Sequence, residues 1–164
     1  MREHITKKYI REALILLMLQ KNFKDINVQE LVEKAGVSRA TFYRNFVSID
    51  EVLDSYFKVY FEELDKVVQA RTSDKDKAIF IILDLIKYEN VAFKVTFDQG
   101  EVGVLLKYLF PLLESIIHTN HEVDLNSSFE AGTLCGLIVN WCQKDFKSGT
   151  QEIFNHYLSF FGKK

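Results

Sequence analysis

Residues 36–46 read GVSRATFYRNF, a glycine turn followed by a short helical pattern. Glycine tolerates the left-handed backbone conformation that ends helices, so Gly36 predicts the end of one helix. Ser38 is a favourable N-cap, and we expect the next helix to run from there through Phe46. Phe42 and Phe46 lie one turn apart, which predicts that both face inward. The stretch therefore predicts two short helices joined by a turn.

The residues before this turn also have helical spacing. In ITKKYIREALILLMLQKN, residues 5–22, apolar side chains recur at steps of three and four, which predicts helix 1. The apolar set is Ile5, Tyr9, Ile10, Ala13, Leu14, Leu17 and Met18. Asn27 followed by Glu30 is a capping-box pattern, so helix 2 is expected from Val28 to Ala35. Two short helices around a glycine turn match the helix-turn-helix, whose second helix enters the DNA major groove.

The remainder of the chain predicts further helices. Ser48 and Glu51 repeat the capping-box pattern and begin a long helix 4 at residues 49–70. One proline and seven glycines in 164 residues favour long helices joined by short links. We therefore expect an all-α fold, with a helix-turn-helix domain at residues 1–48 and a helical-bundle regulatory and dimerisation domain at 49–164. Helix 4 connects the two domains.

Composition and charge narrow the class of protein. The 48% hydrophobic and 27% charged residues are typical of a soluble globular chain, and the apolar run at residues 13–19 is too short to span a membrane. No signal-peptide pattern follows that run, so we expect a cytoplasmic protein. Residues 1–48 hold nine Lys/Arg against five Asp/Glu, whereas residues 49–164 hold twelve against eighteen. This asymmetry favours an anionic partner such as nucleic acid for the N-terminal segment.

The predicted third helix has a polar face opposite Phe42. At 100° per residue, Ala40 and Arg44 lie opposite Phe42, with Thr41 and Tyr43 on the flanks. Ala40 permits close approach to a groove, while Arg44 suits a guanine edge. Thr41 and Tyr43 suit phosphate oxygens or a thymine methyl group. The free amides at the Ser38 end of the helix suit a phosphate.

GVSRATFYRNF, preceded by INVQELVEKA and followed by SIDEVLDSYF, resembles the DNA-binding head of TetR/AcrR-family transcriptional regulators over about residues 5–57. The resemblance implies DNA contacts at Arg39, Thr41, Tyr43, Arg44 and Asn45, with Tyr43 the most typical phosphate contact. Lys7, Lys8 and Arg11 at the front of helix 1 are expected to add backbone contacts. Many relatives have a phosphate-binding lysine at the start of helix 4, where this chain has Ile49. Amides capped by Ser48 are expected to substitute in part.

The resemblance also implies a helical regulatory domain whose last two helices, here at about 127–147 and 150–161, form a dimeric four-helix bundle. The interface is expected at Leu134, Leu137, Ile138, Trp141, Phe154, Tyr157, Leu158 and Phe161. The expected function is a homodimeric repressor that binds a near-palindromic operator and is released by an effector. The alternative is a TetR-like module or coactivator that acts through a protein partner, as dihydroxyacetone kinase coactivators do.

Other chemistry is weakly indicated by the sequence. The aromatic residues Tyr88, Phe93, Phe97, Tyr108 and Phe110 suit either an effector pocket or a plain core. His118, His121 and Glu122 have metal-ligand character, but their polar context favours a solvated loop without metal. No catalytic motif occurs, so we expect neither an enzyme nor a cofactor.

Two further details of the sequence concern the helices of the second domain. Cys135 and Cys142, seven residues apart on one helix, suit core thiols, with redox sensing as the alternative. Pro111 lies inside a helical pattern and predicts a kink there or a break one residue earlier.

Overall fold

Helices predicted from the spacing of apolar residues are present in the computed structural model, which describes residues 2–118 and 125–162. These residues form nine α-helices and one 3-10 helix, which confirms the all-α prediction. The helices are α1 (Arg2–Met18), α2 (Val28–Ala35), α3 (Arg39–Asn45), α4 (Ile49–Arg71), α5 (Lys75–Tyr88), α6 (Asn90–Asp98), α7 (Val102–Ile117), α8 (Leu125–Gln143) and α9 (Thr150–Phe161). None of them is both long enough and apolar enough to cross a membrane.

The chain forms two compact units, an N-terminal unit at Met1–Val59 and a C-terminal unit at Tyr60–Lys164. The division falls inside α4, whose bounds agree with the helix predicted at residues 49–70. The domain boundary between residues 48 and 49 stays a prediction.

Local signals set the helix ends in the N-terminal unit. The Asn27 side chain accepts from the Glu30 amide, and the Glu30 carboxylate accepts from the Asn27 amide, so the predicted capping box is present. Gly36 ends α2 in the left-handed conformation, with φ 68° and ψ 34°. The 3-10 helix at Phe23–Asp25 was not predicted, because the Asn22 side chain that accepts from the Lys24 amide is a weak signal within a short linker.

In the N-terminal unit, α1 packs against α2 and α3 around a buried apolar core. The predicted inner side of α1 is only partly buried: Ile10 and Leu14 are fully enclosed, but Ile5 is 46% and Tyr9 53% exposed. The spacing of apolar residues predicts which side of a helix is buried. It does not predict over what length of the helix a neighbouring element covers that side.

The C-terminal unit is a bundle of α5 to α9 with the end of α4, in which α8 contacts α6, α7 and α9, and α5 contacts α9. Of the kink or break predicted at Pro111, the break does not occur, since α7 continues past Pro111 to Ile117. Pro111 is exposed and therefore lies on the solvent side of α7.

The α8 helix ends at Gln143, earlier than the predicted residue 147. Asp145 and Phe146 have left-handed φ values of 55° and 52°, which take the chain out of the helix. Phe146 is buried and packs against Trp141, with 5.2 Å between the ring centroids.

Both cysteines of the C-terminal unit are buried free thiols. Burial raises the pKa of Cys135 to about 12 and that of Cys142 to about 11. Because the thiolate is the reactive form, these values favour the interpretation as core residues over redox sensing.

Candidate nucleic-acid interface

The start of α3 is fixed by Ser38. Its Oγ accepts a hydrogen bond from the Thr41 amide at 3.1 Å and lies 2.9 Å from the Thr41 hydroxyl. The backbone of Ser38 is extended, with φ −82° and ψ 156°, as expected for an N-cap. The side chain thus begins a helix of only seven residues, which would be marginal without a cap and a packed face.

The packed face of α3 consists of aromatic rings. Phe42 is fully buried and Phe46 is 3% exposed, which agrees with their predicted inward orientation. The Tyr43 ring meets the Phe42 ring edge to face at 5.2 Å between centroids. This contact anchors the base of an otherwise exposed tyrosine, because edge-to-face pairs are favourable.

Most of the remaining surface of α3 is polar and open to solvent. Arg39, Ala40, Tyr43 and Arg44 are exposed, Tyr43 by 60%. The Arg44 guanidinium donates to the Thr41 hydroxyl at 3.1 Å, so the two side chains lie together along the helix. Cations and a phenol therefore project from one rigid element, as recognition of a phosphate backbone and base edges requires.

Asn45 occupies a different position from the rest of the predicted set. It is half-buried, and its amide nitrogen donates to the Thr41 carbonyl at 2.7 Å. Its Oδ1 is buried and has no hydrogen-bond partner within the part of the chain that the structure describes. Asn45 therefore stabilises the last turn of α3. Its half-buried side chain does not lie beside Arg44 on the exposed surface of the helix.

Three basic residues of α1, predicted to lie near DNA, have different environments. The Lys7 ammonium lies 5.8 Å from the Phe46 ring centroid, close to the end of α3. Lys8 is exposed and pairs with Glu12 at 3.7 Å. Arg11 is only 7% exposed and donates to the Ser55 hydroxyl at 3.3 Å, and burial lowers its pKa. The expectation that Arg11 contacts the DNA backbone is therefore wrong, because its side chain packs inside the unit.

Side chains engage one amide at the start of α4 and one amide just before it. Ser48 Oγ accepts from the Glu51 amide at 3.1 Å, and the Glu51 carboxylate accepts from the Val47 amide at 2.6 Å. Ile49 is half-buried and uncharged. The Glu51 carboxylate at this helix end repels phosphate. Both Ile49, which replaces the lysine expected from the resemblance, and its neighbour Glu51 therefore disfavour a phosphate contact here.

The exposed residues of α3 lie in a segment that matches a known family model. Residues 10–56 match the model of the bacterial regulatory proteins of the tetR family. This match covers less than a third of the chain, the segment that contains α2 and α3. The Streptococcus agalactiae 2603V TetR transcriptional regulator has a similar fold, with a TM-score of 0.70 at 20% identity, covering 99% of this chain and 96% of that one.

Two curated relatives of this chain are named as HTH-type regulators. DhaS of Lactococcus lactis subsp. lactis (strain IL1403), the dhaKLM operon transcriptional activator, is 28% identical over 117 residues, 58% of this chain and 63% of DhaS. The uncharacterized regulator YxbF of Bacillus subtilis (strain 168) is 22% identical over 157 residues, 88% of this chain and 41% of YxbF. The chain thus spans less than two thirds of the length of these relatives.

The aromatic residues suggested for an effector pocket do not share one environment. Phe93 is 2% exposed and packs edge to face on Tyr60 and Phe61, at 5.4 and 5.9 Å between centroids. Tyr108 stacks on Phe61 at 6.4 Å, and Phe97 and Phe110 are half-buried. Tyr88 is 83% exposed and lies apart from this cluster.

The residues expected at a dimer interface fall into two groups. Leu134, Ile138, Trp141 and Tyr157 are at most 2% exposed within the single chain, so they belong to the core of the C-terminal unit. The other four, Leu137, Phe154, Leu158 and Phe161, are half-buried.

The residues predicted for the dimer interface do not include the outer face of α8. Phe129 is 68% exposed, and Gly132, Gly136 and Asn140 follow it on the same side at steps of three and four. The signal that was available is this spacing of small residues after an aromatic one. We call the set Phe129, Gly132, Gly136 and Asn140 the α8 stripe.

The histidine motif provides no metal site in the described chain. His118 Nδ1 lies 3.0 Å from the buried Ser127 hydroxyl, which joins the end of α7 to α8. His121 and Glu122 lie outside the described residues. Within residues 2–118 and 125–162, no group of three metal-ligating side chains comes together.

Proposed function

We propose that this chain is a transcriptional regulator that binds double-stranded DNA in a sequence-dependent manner through α3. The observation that carries the proposal is the division of α3 into a buried Phe42 face and an exposed face with Arg39, Tyr43 and Arg44. A helix held by aromatic packing can present these groups to a major groove in a fixed orientation. The proposed site of action is the cytoplasm.

The exposed residues have separate proposed roles. Arg44 pairs with a guanine edge, because a guanidinium matches the O6 and N7 acceptors in bidentate fashion. Tyr43 and the α3 amides beside Ser38 contact phosphates, with Lys7 and Lys8 adding charge. Ala40 has no long side chain and permits close approach. Arg39 and Thr41 support these contacts, whereas Asn45 acts by holding the helix end.

The proposed functional form is a homodimer. The α8 stripe is exposed and uncharged, and its glycines allow another helix to approach closely. A two-fold dimer presents two copies of α3 to successive major grooves about 34 Å apart, which predicts a near-palindromic operator.

DNA binding is tested by selecting bound sequences from random duplexes and titrating the selected and a scrambled duplex by fluorescence anisotropy at several salt concentrations. Tyr43→Phe is expected to weaken binding to every sequence, and Arg44→Ala to relax preference at one base pair as well. Tyr88→Phe and Lys66→Ala are the matched controls, since both alter exposed residues of the C-terminal unit. Unchanged binding by both α3 variants would show that α3 does not read DNA.

The dimer is tested by sedimentation of Gly136→Glu. A Cβ at Gly136 meets no atom within 4 Å, so the single chain tolerates the side chain while a close helix-helix interface does not. Gly103→Glu is the control, because Gly103 is also helical, exposed and free of contacts at that distance. A wild-type chain that sediments as a monomer at micromolar concentration contradicts the proposal. A Gly136→Glu variant that remains dimeric excludes the α8 stripe as the interface.

Two modes of regulation follow from different observations. Repression with release by an effector is the mode implied by the family resemblance, and it requires an effector that prefers the form of the protein that does not bind DNA. Activation through a protein partner is favoured by the similarity to DhaS, which is named as an activator. In vitro transcription from a promoter that carries the selected operator distinguishes them: repression lowers transcript yield, activation raises it.

A further inference from the structure

A groove between α5 and α9 in the C-terminal unit has no part in the proposed DNA site. Its floor is formed by the apolar side chains Phe80, Ile81, Phe154 and Leu158, all half-buried. Phe80 and Phe154 meet edge to face with 5.3 Å between ring centroids. The groove volume of about 530 Å³ lies within the range of small-molecule sites.

Two cations line the same groove. Arg71, the last residue of α4, and Lys77 on α5 are both exposed. Neither forms an ion pair with any residue in the part of the chain that the structure describes. Cationic groups without a protein partner beside an apolar surface are suited to an anion that carries its own apolar part.

Each of the two carboxylates of the groove has one oxygen that is hydrogen-bonded or shielded within the protein. Asp74 caps α5, and its Oδ1 accepts from the Lys77 amide at 2.9 Å. Asp76 is half-buried, and its Oδ1 is shielded from solvent without a hydrogen-bond partner among the described residues. The groove therefore presents two exposed cations, Arg71 and Lys77, and one exposed carboxylate, that of Asp74.

We propose that the α5–α9 groove binds an amphipathic carboxylate, a molecule with one carboxylate and an apolar chain. The carboxylate is held by Arg71 and Lys77, since a guanidinium matches its two oxygens in bidentate fashion. The apolar chain covers Phe80 and Phe154 and removes their exposed ring surface from water. The proposal requires neither DNA binding nor dimerisation, so each can fail independently of the others.

Calorimetric titration of the full chain with decanoate, below its micelle concentration, tests the charge assignment. Decanoate is expected to bind, with decanol and decyltrimethylammonium at least tenfold weaker. Absence of decanoate binding at millimolar concentration overturns the proposal. Tighter binding of the trimethylammonium compound also overturns it, because Asp76 would then dominate the groove.

Variants locate the bound decanoate. The double variant Arg71→Gln, Lys77→Gln is expected to weaken binding at least tenfold, while Lys66→Gln, an exposed α4 cation paired with Glu63, leaves it unchanged. Ile81→Trp fills the groove and is expected to weaken binding similarly, with circular dichroism verifying that the helices are retained. Wild-type affinity in either the double variant or Ile81→Trp overturns the proposal. Anisotropy with operator DNA on the same samples reports separately on the DNA-binding proposal.

Discussion

The outer faces of α3 and α8 differ in the property that decides what each can bind. Both helices bury aromatic or aliphatic side chains on one side and leave the other side open. The open side of α3 carries Arg39, Tyr43 and Arg44, whereas the α8 stripe is uncharged. Glu130, the one charged residue of α8, pairs with Lys75 at 2.8 Å and has a side chain only 12% exposed.

Exposure alone therefore does not define an interface. A cationic face attracts a polyanion at long range, while an uncharged face with glycines gains free energy only from close contact with another apolar surface.

Replacing the buried anchor of α3 tests whether its two faces have separate tasks. Phe42→Ala is expected to cost about 3–5 kcal/mol of unfolding free energy, since it removes a fully enclosed ring. Arg44→Ala on the same helix is expected to cost under about 0.5 kcal/mol. Urea unfolding is followed by circular dichroism for all helices and by the fluorescence of Trp141, which is in the C-terminal unit. Equal losses for the two variants would break the division.

The inward charge of α8 is tested through Tyr157. The Tyr157 hydroxyl donates to the Glu130 carboxylate, and burial together with this bond raises the pKa of the phenol. Tyr157→Phe is expected to cost about 1.5–3 kcal/mol, the range for a hydrogen bond to a charged group. Tyr88→Phe alters an exposed tyrosine and is the control, with an expected change in unfolding free energy of no more than about 0.5 kcal/mol. A negligible loss in Tyr157→Phe, measured by urea unfolding, would mean that Lys75 alone satisfies Glu130.

Helix caps offer a contrast between a short and a longer helix. Ser38→Ala removes the cap of α3 and is expected to cost about 1 kcal/mol. Gly149 begins α9 without a side-chain cap, in extended conformation and with room for a Cβ, so Gly149→Ser is expected to gain a few tenths of a kcal/mol. Thermal unfolding of both variants measures the difference. A loss of stability in Gly149→Ser would show that the new hydroxyl does not reach the free amides.

Acid stability provides the smallest expected effect. The hydrogen bond from Lys21, together with that from the Asn27 amide, lowers the pKa of Glu30 below its usual value of 4.5. A lowered pKa in the folded state contributes stability that is present above about pH 4.5 and is lost as the pH falls through the folded value. Glu30→Gln is therefore expected to reduce the fall of unfolding free energy on going from neutral pH to pH 3. An identical pH profile in the variant would contradict the contribution of Glu30.

Much of the N-terminal unit was predictable because its signals are local. The Asn27 capping box, the Gly36 turn and the inward Phe42 depend on residues within one or two turns of each other. The side-chain environments of Asn45 and Arg11 were not predictable. Asn45 folds back onto a carbonyl of its own helix, and Arg11 reaches Ser55, forty-four residues along the chain.

The C-terminal unit was less predictable because several of its helices are apolar on more than one side. In such a helix, periodicity identifies the helix but not the face that a neighbour covers. Leu134 and Trp141 were therefore expected at a dimer surface, yet they lie in the core. The continuation of α7 beyond Pro111 likewise depends on solvent exposure, which sequence does not show.

The sequence by itself determined the helix starts at Asn27 and Ser38, the turn at Gly36 and the excess of cations in residues 1–48. These features follow from backbone geometry, short-range hydrogen bonds and composition, which involve neighbours along the chain. Only the tertiary structure decided that the α8 stripe is open and that Arg71 and Lys77 line an apolar groove. Burial depends on which distant helix covers a surface, and that information is absent from local sequence.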